Sequence, residues 1–212
     1  MIEIKNLCKS FGDVQVLKNI SMTLESGKIY GLVGRNGSGK TMLMKHILGL
    51  VKATSGQILI DGQEIGKDID IPQNVGAIIE TPGFLPEYSA FKNLKLLAMI
   101  RGKISDNQIK ETLQLVGLNP TSKKHVGTYS LGMKQRLGLA QALMEDPDIL
   151  LLDEPLSGLD NDGVKQMYQI LLHQKKSGKL MVIASHSKED IAILCDEVFQ
   201  FDKGMIFSRE KS

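Results

Sequence analysis

The run Gly34-Arg35-Asn36-Gly37-Ser38-Gly39-Lys40-Thr41 fits the pattern G-x-x-x-x-G-K-[ST], a loop suited to holding phosphate. Its glycines let backbone N–H groups turn inward where side chains would block them. Lys40 supplies a point charge for β- and γ-phosphates, the Thr41 hydroxyl is a ligand for Mg²⁺, and Met42 extends the nucleotide-binding stretch. A helix over 41–50 would aim its N-terminal dipole at the same anion. A second group of residues follows the apolar run 149–152, which delivers Asp153 and Glu154 to the C-terminal edge of a strand. Adjacent carboxylates can divide the work, Asp153 holding Mg²⁺ and Glu154 polarising an attacking water as general base. A third, Ser185-His186, stands just after the run Leu180–Ala184. At the tip of a parallel strand, His186 could reach the γ-phosphate and that same water.

These residues need a scaffold that brings several strand ends together. Short apolar runs at Ile29–Val33, 75–79, 149–152 and Leu180–Ala184, bounded by polar residues or Gly, predict buried parallel strands of an α/β protein. Residues 20–24 alternate apolar and polar side chains, which predicts a half-exposed antiparallel strand. Residues 58–60, ahead of Asp61-Gly62, predict a strand closed by a tight turn, and 198–201 with 205–207 predict a closing hairpin around Asp202-Lys203-Gly204. The stretch 81–128 is poor in strands and carries helical segments at Ala90–Arg101 and 106–116. The expectation is one domain over 1–212, with a mixed α/β core from 1–80 and 129–212 and a helical insertion over 81–128.

Composition narrows the class. The chain has 212 residues, 26 Lys plus Arg against 24 Asp plus Glu, 42% hydrophobic residues and no Trp. A net charge of +2 with few aromatics argues against nucleic acid as a partner. Two cysteines, Cys8 and Cys195, build neither a disulfide framework nor a zinc site. The N-terminus has no signal-peptide character, and no run reaches the ~18 apolar residues that span a bilayer, so any membrane role would be borrowed from a partner.

Two further segments flank the acidic strand: Tyr129-Ser130-Leu131-Gly132-Met133-Lys134-Gln135-Arg136 before it and Leu156-Ser157-Gly158-Leu159-Asp160 after it. Ser130 is a good N-cap for a helix over 131–145. With the phosphate loop and Ser185-His186, in this order and spacing, the whole chain resembles the ATP-binding subunits of ABC transporters. The resemblance implies a P-loop NTPase core with a mostly parallel sheet, an N-terminal antiparallel β part and a helical subdomain. It implies an ATPase that uses ATP and Mg²⁺ and works as a head-to-tail dimer, either a homodimer or a pair with a second ATPase subunit. Ser130 and Gly132 would then reach the nucleotide of the other subunit in trans, and Asp160 would help organise the dimer interface. Phe11 would stack on the adenine with Val16 beside it. The partners would be separate membrane-spanning permease chains, placing the protein on the cytoplasmic face of a bacterial membrane.

Two departures from the common family pattern stand out. Leu131 replaces the first Gly of the usual Leu-Ser-Gly-Gly-Gln, and Met133 replaces its Gln. After the strand at 75–79 the family places a Gln that touches Mg²⁺; here it is Glu80, a harder and charged ligand with no donor. Glu80 with Thr81-Pro82-Gly83-Phe84 behind it, and Ser130-Leu131-Gly132-Met133 later, resembles the subunits of lantibiotic and bacitracin exporters. The alternative is a soluble ABC-type ATPase driving a machine other than a transporter.

Overall fold

Strands with no polar face must be covered on both sides, and that requirement organises the molecule. The computed structural model describes residues 1–81 and 83–211. The chain opens with β1 (Ile2–Phe11), β2 (Val14–Leu24), β3 (Ile29–Val33) and α1 (Lys40–Ile47). There follow β4 (Ser55–Ile60), the short β5 (Gln63–Glu64), β6 (Val75–Ile78), α2 (Ala90–Arg101) and α3 (Asp106–Leu115). The rest is α4 (Leu131–Leu143), β7 (Ile149–Asp153), α5 (Asn161–Lys176), β8 (Leu180–Ala184), α6 (Lys188–Leu194), β9 (Glu197–Asp202) and β10 (Met205–Lys211).

One sheet has the order β2-β1-β4-β5 and is antiparallel throughout. The other has the order β10-β9-β3-β8-β7-β6, with parallel pairing from β9 across to β6 and only β10 reversed. Alternation along its central strands divides two cores. Tyr30, Leu32, Leu151 and Val182 face the antiparallel sheet and enclose α1 through Leu43, Met44 and Ile47. Leu150, Leu152, Met181 and Ile183 face the opposite way, onto Leu94, Leu113, Leu137, Met167 and Leu194 of the other helices.

Several elements differ from the expected bounds. The strand expected at 20–24 is the second half of β2, and β1 had not been expected at all. Both strands carry irregularities where Asn6 and Asn19 take left-handed φ of 50° and 51°. Each such residue lets the chain keep Ile2, Ile4 and Leu7 of β1, and Leu17, Ile20, Met22 and Leu24 of β2, on the buried face despite a break in period. The helix expected over 41–50 gives way after Ile47 to a turn, where Gly49 at φ 72° packs against the Asp70 carbonyl. The helix expected over 131–145 ends at Leu143, and that over 106–116 ends at Leu115. The helical stretch is joined to the sheet mainly through α4, which packs on β6 and α3. Pro82 of the segment after Glu80 lies outside the described residues.

Candidate functional site

The site grows from the C-terminal ends of β3, β6, β7 and β8, which lie side by side because the strands are parallel. Between β3 and α1 the phosphate loop turns tightly. A Cβ on Gly34 would sit 2.2 Å from the Phe201 carbonyl oxygen, and Gly39 holds φ 112°, so both positions demand glycine. The tip of the β9–β10 hairpin leans on this loop: the Gly204 N–H donates to the Ser38 carbonyl, and the Lys18 N–H donates to that of Gly204. Lys203 and Gly204 both have positive φ, as a tight two-residue hairpin turn requires.

Lys40 is buried and donates through Nζ to the Gly34 carbonyl at 2.7 Å and the Arg35 carbonyl at 3.2 Å. Burial holds its ammonium below the usual lysine pKa, with Asp153 and Glu154 pulling the other way. Those carbonyl contacts keep the ammonium inside the loop, at the mouth where phosphate oxygens would enter. Thr41 Oγ1 donates to Asp153 Oδ2 at 2.7 Å. Hydroxyl and carboxylate thus already face each other across the α1–β7 gap.

Glu154 follows the strand with φ 49°, an uncommon conformation for a non-glycine residue. Three contacts fix it there. Its N–H donates to the Ala184 carbonyl at 2.9 Å, its carbonyl accepts from Gln135 Nε2 at 2.9 Å, and Oε1 stands 3.3 Å from His186 Nε2. Oε1 is buried without a hydrogen-bond partner. Burial raises its pKa above the ordinary carboxylate value and Asp153 adds to that, while His186 and Lys40 oppose it. A carboxylate with a free acceptor and a raised pKa is a ready proton acceptor. His186 Nε2 also contacts Asn36 Oδ1 at 2.8 Å, tying the β8 tip to the phosphate loop.

A cleft of about 510 Å³ joins these groups. Val16, the loop from Asn36 to Met42, Glu80, Asp153, Glu154 and His186 all line it. Gly34 and Arg35 take part through their carbonyls rather than by lining the cleft. Phe11 does not line it; its ring is half exposed at the end of β1, under Lys9 Nζ at 4.6 Å. Ser130 caps α4 by accepting from the Met133 N–H at 3.2 Å. Gly132 lies against the Gly158 carbonyl, where a Cβ would come within 2.8 Å. Asp160 caps α5 through the Gly163 N–H.

Lys45, Lys134, Gln135, Leu131 and Ser157 also line the cleft and had not been anticipated. Lys45 had a usable signal, since it follows Thr41 by one helical turn and so shares its face. Its Nζ pairs with Glu80 Oε1 at 2.6 Å. Nothing in the sequence pointed to the Gln135 contact with the Glu154 backbone. Glu80 has φ 57° and is mostly exposed, with Lys45 as its ion-pair partner. The oxygen-only donor set of Thr41, Asp153 and Glu80 suits Mg²⁺. Among the described residues no three His, Cys, Asp or Glu side chains form a metal cage by themselves.

A phosphate loop facing an acidic strand end and a histidine, with a capped helix beside them, defines an ATP-binding cassette. The chain belongs to the ABC transporter family, whose model matches residues 17–157. It is an ATPase subunit of that class, the ATP-binding part of a transporter. An uncharacterized ABC transporter ATP-binding protein of Bacillus subtilis (strain 168), YybJ, is 49% identical over 211 residues, covering 100% of this chain and 97% of that protein. The lantibiotic transport ATP-binding protein SrtF of Streptococcus pyogenes is 38% identical, covering 99% of this chain and 91% of that one. The bacitracin transport ATP-binding protein BcrA of Bacillus licheniformis is 40% identical, over 97% of this chain and 68% of that one. Among solved structures, an ATP-binding subunit of an ABC transporter is 25% identical with a TM-score of 0.89, over 100% of this chain and 90% of that chain.

Proposed function

We propose that this chain hydrolyses ATP to drive a bacterial exporter of antimicrobial peptides of the lantibiotic or bacitracin type, formed with separate permease chains. The observation that carries the catalytic part is the convergence of Lys40, Thr41, Asp153, Glu154 and His186 on one cleft. The cargo reading is supported by the names of the BcrA and SrtF relatives and by Glu80 at the end of β6.

In this reading Lys40 and the loop N–H groups hold the β- and γ-phosphates, while Val16 supports the nucleoside and Phe11 stacks on the adenine. Thr41, Asp153 and Glu80 would hold Mg²⁺, which would neutralise charge on the phosphates. Glu154 accepts a proton from water as the water oxygen attacks the γ-phosphorus. The bond to the bridging oxygen breaks, and its electron pair leaves with ADP. His186, already near Glu154, orients that water and the γ-phosphate. Two subunits pair head to tail, so that Ser130 and Gly132 of one close over the phosphates of the other, with Asp160 at the seam. The helical segment 81–128 passes closure to the permease at the cytoplasmic face of the membrane. No helix among the described residues is long and apolar enough to cross a membrane.

The test is a pull-down of the Glu154→Gln variant with ATP from gently solubilised native membranes. An integral membrane protein in stoichiometric amount is expected, together with greater sensitivity to bacitracin or a lantibiotic in a strain lacking the chain. A purely soluble complex would favour a non-transport ATPase, and unchanged sensitivity would remove the peptide cargo.

A further inference from the structure

Behind His186 lies a polar network that the reaction described above does not use. Asp190, on α6, accepts from two hydroxyls: Tyr168 on α5 at 2.7 Å through Oδ1, and Ser185 at 3.0 Å through Oδ2. Ser185 is buried, and its Oγ also accepts from the Ser187 N–H at 3.1 Å. Ser187 Oγ in turn accepts from the Asp190 N–H at 3.1 Å. The two residues flanking His186 are therefore each held by Asp190, Ser185 through its carboxylate and Ser187 through its backbone N–H. Tyr168 belongs to the helix that begins seven residues after Glu154, with only a short turn between them. Burial and the Asp190 carboxylate both push the Tyr168 phenol above its usual pKa, so it stays a hydrogen-bond donor.

We propose that Asp190 is a positioning residue for ATP hydrolysis: through Tyr168 and Ser185 it locks the β8 tip against α5, and so sets where His186 stands relative to Glu154. This rests on the reading that His186 and Glu154 act on the γ-phosphate and water. The 3.3 Å approach of His186 Nε2 to Glu154 Oε1 is made across two loops with few other fixed points. On the His186 side the fixed points are Asn36, which lines the cleft, and this network, whose Tyr168, Ser185 and Asp190 do not line it. A bracket remote from the ligand can hold geometry through the catalytic cycle.

The network lines a second depression of about 780 Å³ beside the cleft. Tyr168, Asp190, Ser185 and Glu154 share its wall, so the bracket and the proposed base are neighbours rather than distant partners. A structural role alone would also be satisfied by these bonds, because Ser187 caps α6. The two roles part company in their dependence on His186.

The experiment measures steady-state ATP hydrolysis by the full chain carrying Asp190→Ala, Asp190→Asn or Tyr168→Phe, each alone and combined with His186→Ala. Asp190→Ala should lower kcat about tenfold with KM for ATP changed less than about twofold, since orientation rather than binding is lost. Tyr168→Phe should lose less, and Asp190→Asn should recover part of the loss because an amide can still accept one hydroxyl. In the His186→Ala background the Asp190 and Tyr168 effects should vanish. Losses that multiply unchanged in that background, or an unchanged kcat, would overturn the proposal. If Asp190→Ala does not fold, Tyr168→Phe and Asp190→Asn decide by the same criterion. Normal turnover in His186→Ala by itself would instead overturn the catalytic reading on which the bracket depends.

Discussion

The two ends of the parallel sheet carry acidic residues in opposite conditions. At the N-terminal ends of the strands nearly every charge is matched. Glu197, at the start of β9, takes Lys28 at 3.2 Å and Arg209 through both Nε and Nη2. Lys175 pairs with Asp196, Lys179 with Asp146, and Asn74 donates to Asp148. At the C-terminal ends, Glu154 Oε1 and Ser38 Oγ are buried without partners, and Glu154 and Glu80 sit in left-handed backbone. The two glutamates Glu197 and Glu154 show the contrast most clearly. Burial pushes both carboxyl pKa values up, but Arg209 and Lys28 outweigh it at Glu197 and bring that group below the ordinary range. At Glu154 burial prevails. One end uses its carboxylates to hold the sheet together; the other leaves acceptor capacity free for a ligand.

The largest effect should come from the unmatched end. Glu154→Gln keeps the size and most of the packing but removes the proton acceptor, so turnover should fall by roughly 10²–10⁴-fold. ATP affinity should hold, as read by phosphate release alongside a nucleotide dissociation constant. Full turnover would return Glu154 to a plain strand end.

At the matched end, Glu197→Gln should cost stability of about 1–2 kcal/mol by chemical denaturation, discounted because Lys28 and Arg209 can return to water. Nucleotide affinity should stay within about twofold. The Glu197 contribution is present above the unfolded carboxylate pKa and is lost as pH falls through the lowered folded value. The gap between wild type and variant should therefore close in acid. A turnover loss as large as that of the Glu154 variant, with stability intact, would erase the distinction between the two ends.

The smallest effect concerns Glu80, which is mostly exposed and shared between the two roles. Glu80→Gln releases Lys45 and removes a charged oxygen ligand. It should leave ATP binding in place and raise the Mg²⁺ concentration at half-saturation by about a few-fold. An unchanged metal titration would make Glu80 a surface acid that happens to meet Lys45.

The sequence already showed the half of the molecule that is simplest in pattern. β3, β8 and α2 begin and end where their apolar runs and flanking polar residues do, and the turn at Asp202-Lys203-Gly204 formed as expected. β1 was hidden because Asn6 inserts a bulge, which shifts the alternation between Ile4 and Leu7 and makes the strand look like broken charge pattern. The phosphate loop was legible because its spacing is local, and Asp153, Glu154 and His186 because each follows a short apolar run that reads as a buried strand. The contacts of Lys45 with Glu80 and of Gln135 with the Glu154 carbonyl were not, since they depend on how α1 and α4 meet distant strand ends.

The strand order has a consequence for how the chain reaches this state. β1 and β2 are joined by a short turn and can pair early, whereas β3 waits for β8 and β9, its neighbours on either side from near the far end of the chain. Closing such long loops is slow, and the first hundred residues to leave a ribosome carry a phosphate loop without Asp153, Glu154 or His186 to face it. Until β8 and β9 arrive, β3 is an exposed apolar strand and a site for mispairing. Nucleotide capture therefore comes at the end of assembly, and a chain cut short before β8 should aggregate rather than bind ATP weakly.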